Sequence, residues 1–182
     1  MAKSLIISGH PDYKHSFANR AILDEVHRLK PHVEIIYLDA LYPDYRMDVP
    51  TEQKRLVGAD IIVFEFPMWW YSSPSLLHGY VEQVFTHGFA YGSQGVALRG
   101  KELVLSFTTG APEAAYNGSG KEGYAIEAFM PPFYATAQLT GLRHRGNVIS
   151  YGMALVPDTK ELRDEILARA IAHAERLASL LD

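Results

Sequence analysis

A chain of 182 residues with a formal net charge of −4 has room for one sizeable core and no general attraction for nucleic acid or an anionic membrane. Hydrophobic residues make up 48% and charged ones 21%, the balance of a soluble globular protein. Cysteine is absent, which excludes dithiol redox chemistry, iron–sulfur clusters, thiolate zinc sites and disulfides, and fits a reducing compartment.

The chain opens on MAKSLIISGHP, a short apolar run halted by Gly9-His10-Pro11. It has neither the length nor the cleavage site of a signal peptide, and no later stretch is long enough to span a bilayer, so a cytoplasmic location is expected. Ser4–Ser8 reads as the first strand. Ser16 then offers an N-cap for a helix to Leu29, with Ala18, Ile22, Val26 and Leu29 on one stripe. A second strand follows at Val33–Asp39 and a helix at Pro50–Gly58. Ile61 to Phe64 is an unbroken apolar run, the pattern of a strand covered on both faces, here drawn from Asp60 to Phe66. Pro67 closes it, since proline cannot donate to a central ladder. Trp69, Trp70 and Tyr71 come next, before a helix drawn from Pro74 to His87. A fourth strand is expected at Leu103–Thr108, an irregular glycine-rich segment at Gly110–Gly123, a helix at Gly123–Thr140, a fifth strand at Asn147–Tyr151 and a last helix at Thr159–Leu181. His78, His87 and His173 read as ordinary helix residues, Arg143-His144-Arg145 as a local anion contact, and the histidines form no metal site with carboxylates.

Alternating strands and helices give a parallel sheet with right-handed crossovers. Five strands fit an α/β, flavodoxin-like doubly wound sheet of order 2-1-3-4-5, with residues 1–182 as one domain. Ligands of such sheets bind beyond the carboxyl ends of the strands, so the exit loops of strands 1, 3 and 4 are where a site belongs. Loop 1 carries His10, Lys14 and Ser16 into a helix N-terminus, a ready anion site. Loop 3 carries the aromatics, and loop 4 carries Thr108-Thr109-Gly110, small enough for close backbone approach. A phosphate pocket, a flat apolar wall and hydrogen-bond donors together describe a site for flavin mononucleotide (FMN). Alone, an aromatic cluster is more often core or interface; its place at a strand's carboxyl end, between two matching loops, reverses that reading.

With Gly-His-Pro after strand 1, Pro67-Met68 before Trp70-Tyr71-Ser72, Thr-Thr-Gly after strand 4, Leu41-Tyr42-Pro43-Asp44 and Val84-Phe85-x-His87-Gly88-x-Ala90-Tyr91-Gly92, the chain resembles the quinone-reductase branch of the flavodoxin-like proteins. Within it, the closest likeness is to the ancillary oxidoreductases of bacterial glutathione-gated potassium efflux systems. The likeness runs almost end to end. It implies an FMN-dependent NAD(P)H:quinone oxidoreductase, in which hydride passes from NADH or NADPH to the flavin and then to a quinone. It places flavin contacts on His10, Ser16, Phe17, Ala18, Asn19, Pro67, Met68, Trp69, Trp70, Tyr71, Thr108, Thr109, Gly110 and Ala111, the last standing where a second glycine is usual. It matches Tyr116 to a catalytic tyrosine; the histidine that accompanies it in some members is replaced by Lys121 and Glu122. Water, Tyr116 or Lys121 are then the candidates for stabilising charge on the reduced flavin. The likeness further implies a homodimer in which Tyr91 walls the partner's substrate pocket. The alternative function it suggests is a regulatory subunit of a potassium efflux antiporter, peripheral on the inner membrane through that partner.

Other readings fail on particular residues. Gly118–Gly123 spells GxGxxG but does not directly follow a strand, and Ala115 and Glu122 break the P-loop pattern. A phosphorylated receiver domain needs an aspartate where Glu65-Phe66-Pro67 stands, and a flavodoxin-type electron carrier has a Ser/Thr-Gly-rich phosphate loop in place of Gly-His-Pro.

Overall fold

The structure, a computed structural model, describes residues 2–182. Five parallel strands, β1 (Ser4–Ser8), β2 (Glu34–Tyr37), β3 (Ile61–Pro67), β4 (Glu102–Thr108) and β5 (Arg143–Ser150), form one sheet in the order β2-β1-β3-β4-β5. Every residue of β1 and β3 is buried, as the continuous apolar runs require. Alternate side chains feed two cores. On one face Ile62, Phe64 and Phe66 pack with Leu56 of α3 (Val49–Gly58), Leu77 and Tyr80 of α4 (Ser75–Val84) and Ala137 of α5 (Pro131–Thr140). On the other, Ile6, Ile61 and Val63 meet Ile22 and Val26 of α1 (Ala18–Leu29) and Ile166, Ala170 and Leu177 of α6 (Lys160–Ala178).

The differences from expectation have local causes. β2 gives way at Leu38 to a helical turn, α2 (Leu38–Leu41). The helix expected from Gly123 starts at Pro131, because Pro131-Pro132 lack the N–H groups that a helix interior needs and fit its first turn. Ile126–Phe129 forms a separate 3₁₀ turn ahead of it. β5 begins at Arg143 rather than Asn147: as an edge strand it tolerates charge, and Arg145 pairs with Glu102 of β4. The basic cluster is thus strand, with Arg145 already neutralised. His173 lies in α6 as expected, but it does more than fill a helix position. It is fully buried, and its two ring nitrogens bond the hydroxyls of Ser106 (2.8 Å) and Ser150 (2.9 Å), tying α6 to β4 and β5.

Candidate functional site

The exit of β1 is forced against the opposite layer. A Cβ on Gly9 would lie 2.5 Å from Leu77 Cβ, so only glycine fits, and the Gly9 N–H donates to the Glu65 carbonyl of β3 at 2.7 Å. The chain then rises through His10 to the start of α1. Ser16 has extended backbone angles while Phe17 is helical, and Ser16 Oγ accepts from the Asn19 N–H at 3.2 Å, so Ser16 is the geometric N-cap. That bond leaves the first-turn N–H groups of Phe17 and Ala18 without intrahelical partners, beside the positive end of the helix dipole. Asn19 is itself held at both ends: its Nδ2 donates to Ser16 Oγ, and its Oδ1 accepts from Thr108 Oγ1, each at 3.2 Å. Loop 1 and the end of β4 are therefore one hydrogen-bonded unit.

His10 is buried, and burial holds its imidazole below its ordinary pKa, partly offset by Asp39 and Asp12. Its Nδ1 accepts from the Asp12 N–H at 3.0 Å, which puts the proton of the neutral ring on Nε2, free to donate to a ligand. The Trp69 ring meets His10 edge-on, with centroids 5.7 Å apart.

These parts bound an open cleft of about 490 Å³ at the carboxyl edge of the sheet. Of the expected residues, His10, Ser16, Phe17, Ala18, Asn19, Pro67, Met68, Trp69, Thr108, Thr109 and Gly110 line it together. Met68 and Thr109 are buried, and the Met68 N–H bonds the Thr108 carbonyl at 2.8 Å, joining loops 3 and 4. Ala111, Trp70, Tyr71, Tyr116 and Tyr91 lie outside the lining. Ala111 accepts from the Gly152 N–H at 2.9 Å beside it. Trp70 is 92% exposed. Tyr71 and Tyr116 both pack on Phe129, with centroids 5.0 and 6.3 Å away. Burial and then Glu122 raise the Tyr116 hydroxyl's pKa. Tyr91 packs on His87, beyond the end of α4.

Four lining residues were not foreseen: His15, Met153, Ala154 and Leu155. The last three follow β5: Met153 N–H bonds the Thr109 carbonyl at 2.8 Å, Thr109 N–H bonds the Ser150 carbonyl at 2.9 Å, and the Met153 side chain is buried in the α1–α6 core with Leu155 packed against it. Apolar residues that contribute main chain and packing leave no chemical signature in a sequence; the only available hint was that β5 neighbours β4. Among the described residues, no group of three or more His, Asp or Glu side chains could hold a metal ion.

A doubly wound parallel sheet with a cleft at the switch point between β1 and β3 defines the class, and the chain belongs to the flavodoxin-like fold family, whose profile matches residues 2–174. Among individual proteins, it is 43% identical over 139 residues to the glutathione-regulated potassium-efflux system ancillary protein KefF of Enterobacter sp. strain 638, covering 76% of this chain and 77% of that one. General stress protein 14 of Treponema denticola, solved in complex with FMN, superposes with a TM-score of 0.87 at 31% identity, over 98% of this chain and 99% of that one. An NADPH-quinone reductase of P. pentosaceus gives 0.77 at 28% identity, over 94% and 97% of the two chains.

Proposed function

We propose that the chain is an FMN-dependent oxidoreductase that moves two electrons from NADH or NADPH to a quinone, with residues 1–182 acting as one unit. The observation that carries this reading is the cleft itself: a helix N-terminus at one end, an aromatic wall at the other, and the ends of three neighbouring strands between them. Its volume falls within the roughly 300–1,000 Å³ of small-molecule sites. The donor set fits a phosphorylated planar ligand. The N–H groups of Phe17 and Ala18 suit a phosphate, and His10 Nε2–H and the Ser16–Asn19–Thr108 chain suit the polyol that follows. Pro67, Met68 and Trp69 offer one wall for the ring, and Thr108, Thr109, Gly110 and Ala111 its edge. FMN, when bound, supplies the hydride chemistry, so the protein needs no general acid–base pair of its own.

The chain's residues bind and orient. Trp70, Tyr71 and Tyr116 stand at the rim, where a nicotinamide or quinone would enter, and Tyr116 is the candidate to offer a proton or hydrogen bond to developing charge. In a homodimer, Tyr91 would wall the partner's pocket. The test is direct: purified protein should be yellow and should oxidise NADH or NADPH when given a soluble quinone. Colourless protein that takes up no added FMN refutes the reading, and size-exclusion chromatography with light scattering tests the dimer. A second role, docking to a membrane potassium efflux antiporter, is favoured by the likeness to KefF. No helix among the described residues is long and apolar enough to cross a membrane, so such docking would run through a partner. Co-purification with the antiporter tests it.

A further inference from the structure

Two consecutive non-glycine residues, Trp70 (φ 49°) and Tyr71 (φ 65°), sit in the left-handed region. They are the centre of a tight turn closed by Trp69 N–H to Ser72 carbonyl (3.0 Å) and Ser72 N–H to Trp69 carbonyl (3.1 Å). Turns with two positive φ values favour Asn-Gly, and a left-handed residue of another type is strained. Trp70, almost wholly exposed, returns nothing within this chain. The restraint comes from Tyr71. Its ring stacks on Phe129, with centroids 5.0 Å apart and planes 23° from parallel, and its hydroxyl donates to Glu122 Oε2 at 2.8 Å.

Glu122 is itself anchored. Its N–H donates to the Ala115 carbonyl at 3.2 Å, Asn117 and Ala125 pair across the base of the loop, and Gly123 N–H bonds the Gly120 carbonyl at 2.9 Å. At Gly120 a side chain would run into the carbonyl oxygens of Ala114 and Ala115, so the loop folds back on itself only with glycine there. The geometry points to Glu122 as a positioning residue: its carboxylate holds Tyr71, and through it the strained turn that carries Trp69 to His10, at the mouth of the cleft. The carboxylate thus links the segment after β4 to the segment after β3, across 51 positions of sequence. That the ligand so positioned is FMN rests on the function proposed above.

The test is a double-mutant cycle on FMN dissociation constants, read by flavin fluorescence, with Tyr71→Phe, Glu122→Ala and the double variant. Tyr71→Phe keeps the stack on Phe129 and removes only the hydroxyl. Each single change should weaken FMN about fivefold, the value of one exposed hydrogen bond to a carboxylate, and the double change should do no more. Glu122→Gln, whose amide oxygen accepts the same hydroxyl, should bind FMN like the parent. Losses that multiply in the double variant, or a Glu122→Gln protein as weak as Glu122→Ala, overturn the assignment. A second measurement needs no flavin: trypsin should cut after Lys121 about fivefold faster in apo Tyr71→Phe than in the parent, the scissile bond being unchanged. Equal rates overturn the tether. A parent chain that binds no FMN refutes the proposed function, while the proteolysis still decides the role of Glu122.

Discussion

Replacing Glu65 with glutamine would remove a buried carboxyl from the sheet. Glu65 lies in the middle of the sheet, wholly buried, on the α1–α6 face; Oε2 accepts from the Ser8 hydroxyl at 3.1 Å and Oε1 has no partner. Burial raises its pKa from 4.5 to about 8, against a smaller downward pull from Ser8. In the unfolded chain it ionises near 4.5, so the fold must hold a proton that the unfolded state has released. The sign follows: this group's contribution is whole below pH 4.5 and is lost as pH rises toward 8. At about 1.4 kcal/mol per pH unit, holding the proton at pH 7 costs about 3 kcal/mol, a large part of an ordinary domain's stability. Glu65→Gln keeps the shape and cannot ionise. Urea unfolding followed by circular dichroism from pH 5 to 8, without flavin, should show the parent losing stability relative to the variant by about 1.4 kcal/mol per unit. The amide brings its own unpartnered N–H, worth about 1–3 kcal/mol, so the slope is the observable and the offset is not. Parallel curves across that range would refute the reasoning, because Glu65 would then be equally ionised in both states.

Acid should act through a different residue. Burial, with help from Arg176, lowers the pKa of His173 from 6.5 to about 3, so the stability its neutral ring contributes is present above 6.5 and lost as pH falls toward 3; His173→Gln should flatten that limb of the denaturation profile. Gly9→Ala should destabilise by about 1–3 kcal/mol, measured by chemical unfolding, because the new methyl must displace Leu77. Ser16→Ala removes the α1 cap and the anchor of Asn19 together, costing about 1 kcal/mol of stability and, by titration, several-fold in FMN affinity. Trp69→Ala should weaken FMN more than it weakens the fold, since its ring is half-exposed on the cleft wall.

Strand order and the place of the cleft were legible because they follow from alternation and from apolar runs such as Ile61–Phe64, which depend on burial alone. The residues of loops 1, 3 and 4 announced themselves by chemistry: a histidine, an N-cap serine, indoles, paired threonines. Met153–Leu155 did not, since they contribute main chain and apolar surface. The strand character of Arg143–Arg145 was hidden because a partner across the ladder, Glu102, cancels a charge that reads locally as exposed. Pro131 marks a helix start that periodicity alone overran, and the buried roles of Glu65 and His173 emerge only once the sheet brings Ser8, Ser106 and Ser150 beside them.

The cleft draws its walls from positions as far apart as His10 and Leu155, with β2, β3, β4 and β5 all lying between them in the chain. No partly folded form that lacks the last strand can present a complete binding surface. A ligand there selects the finished fold alone, and at a hundredfold excess over its dissociation constant adds about 2.7 kcal/mol to it. Supply of the small molecule would therefore set how much of this protein a cell retains, as well as how much of it works.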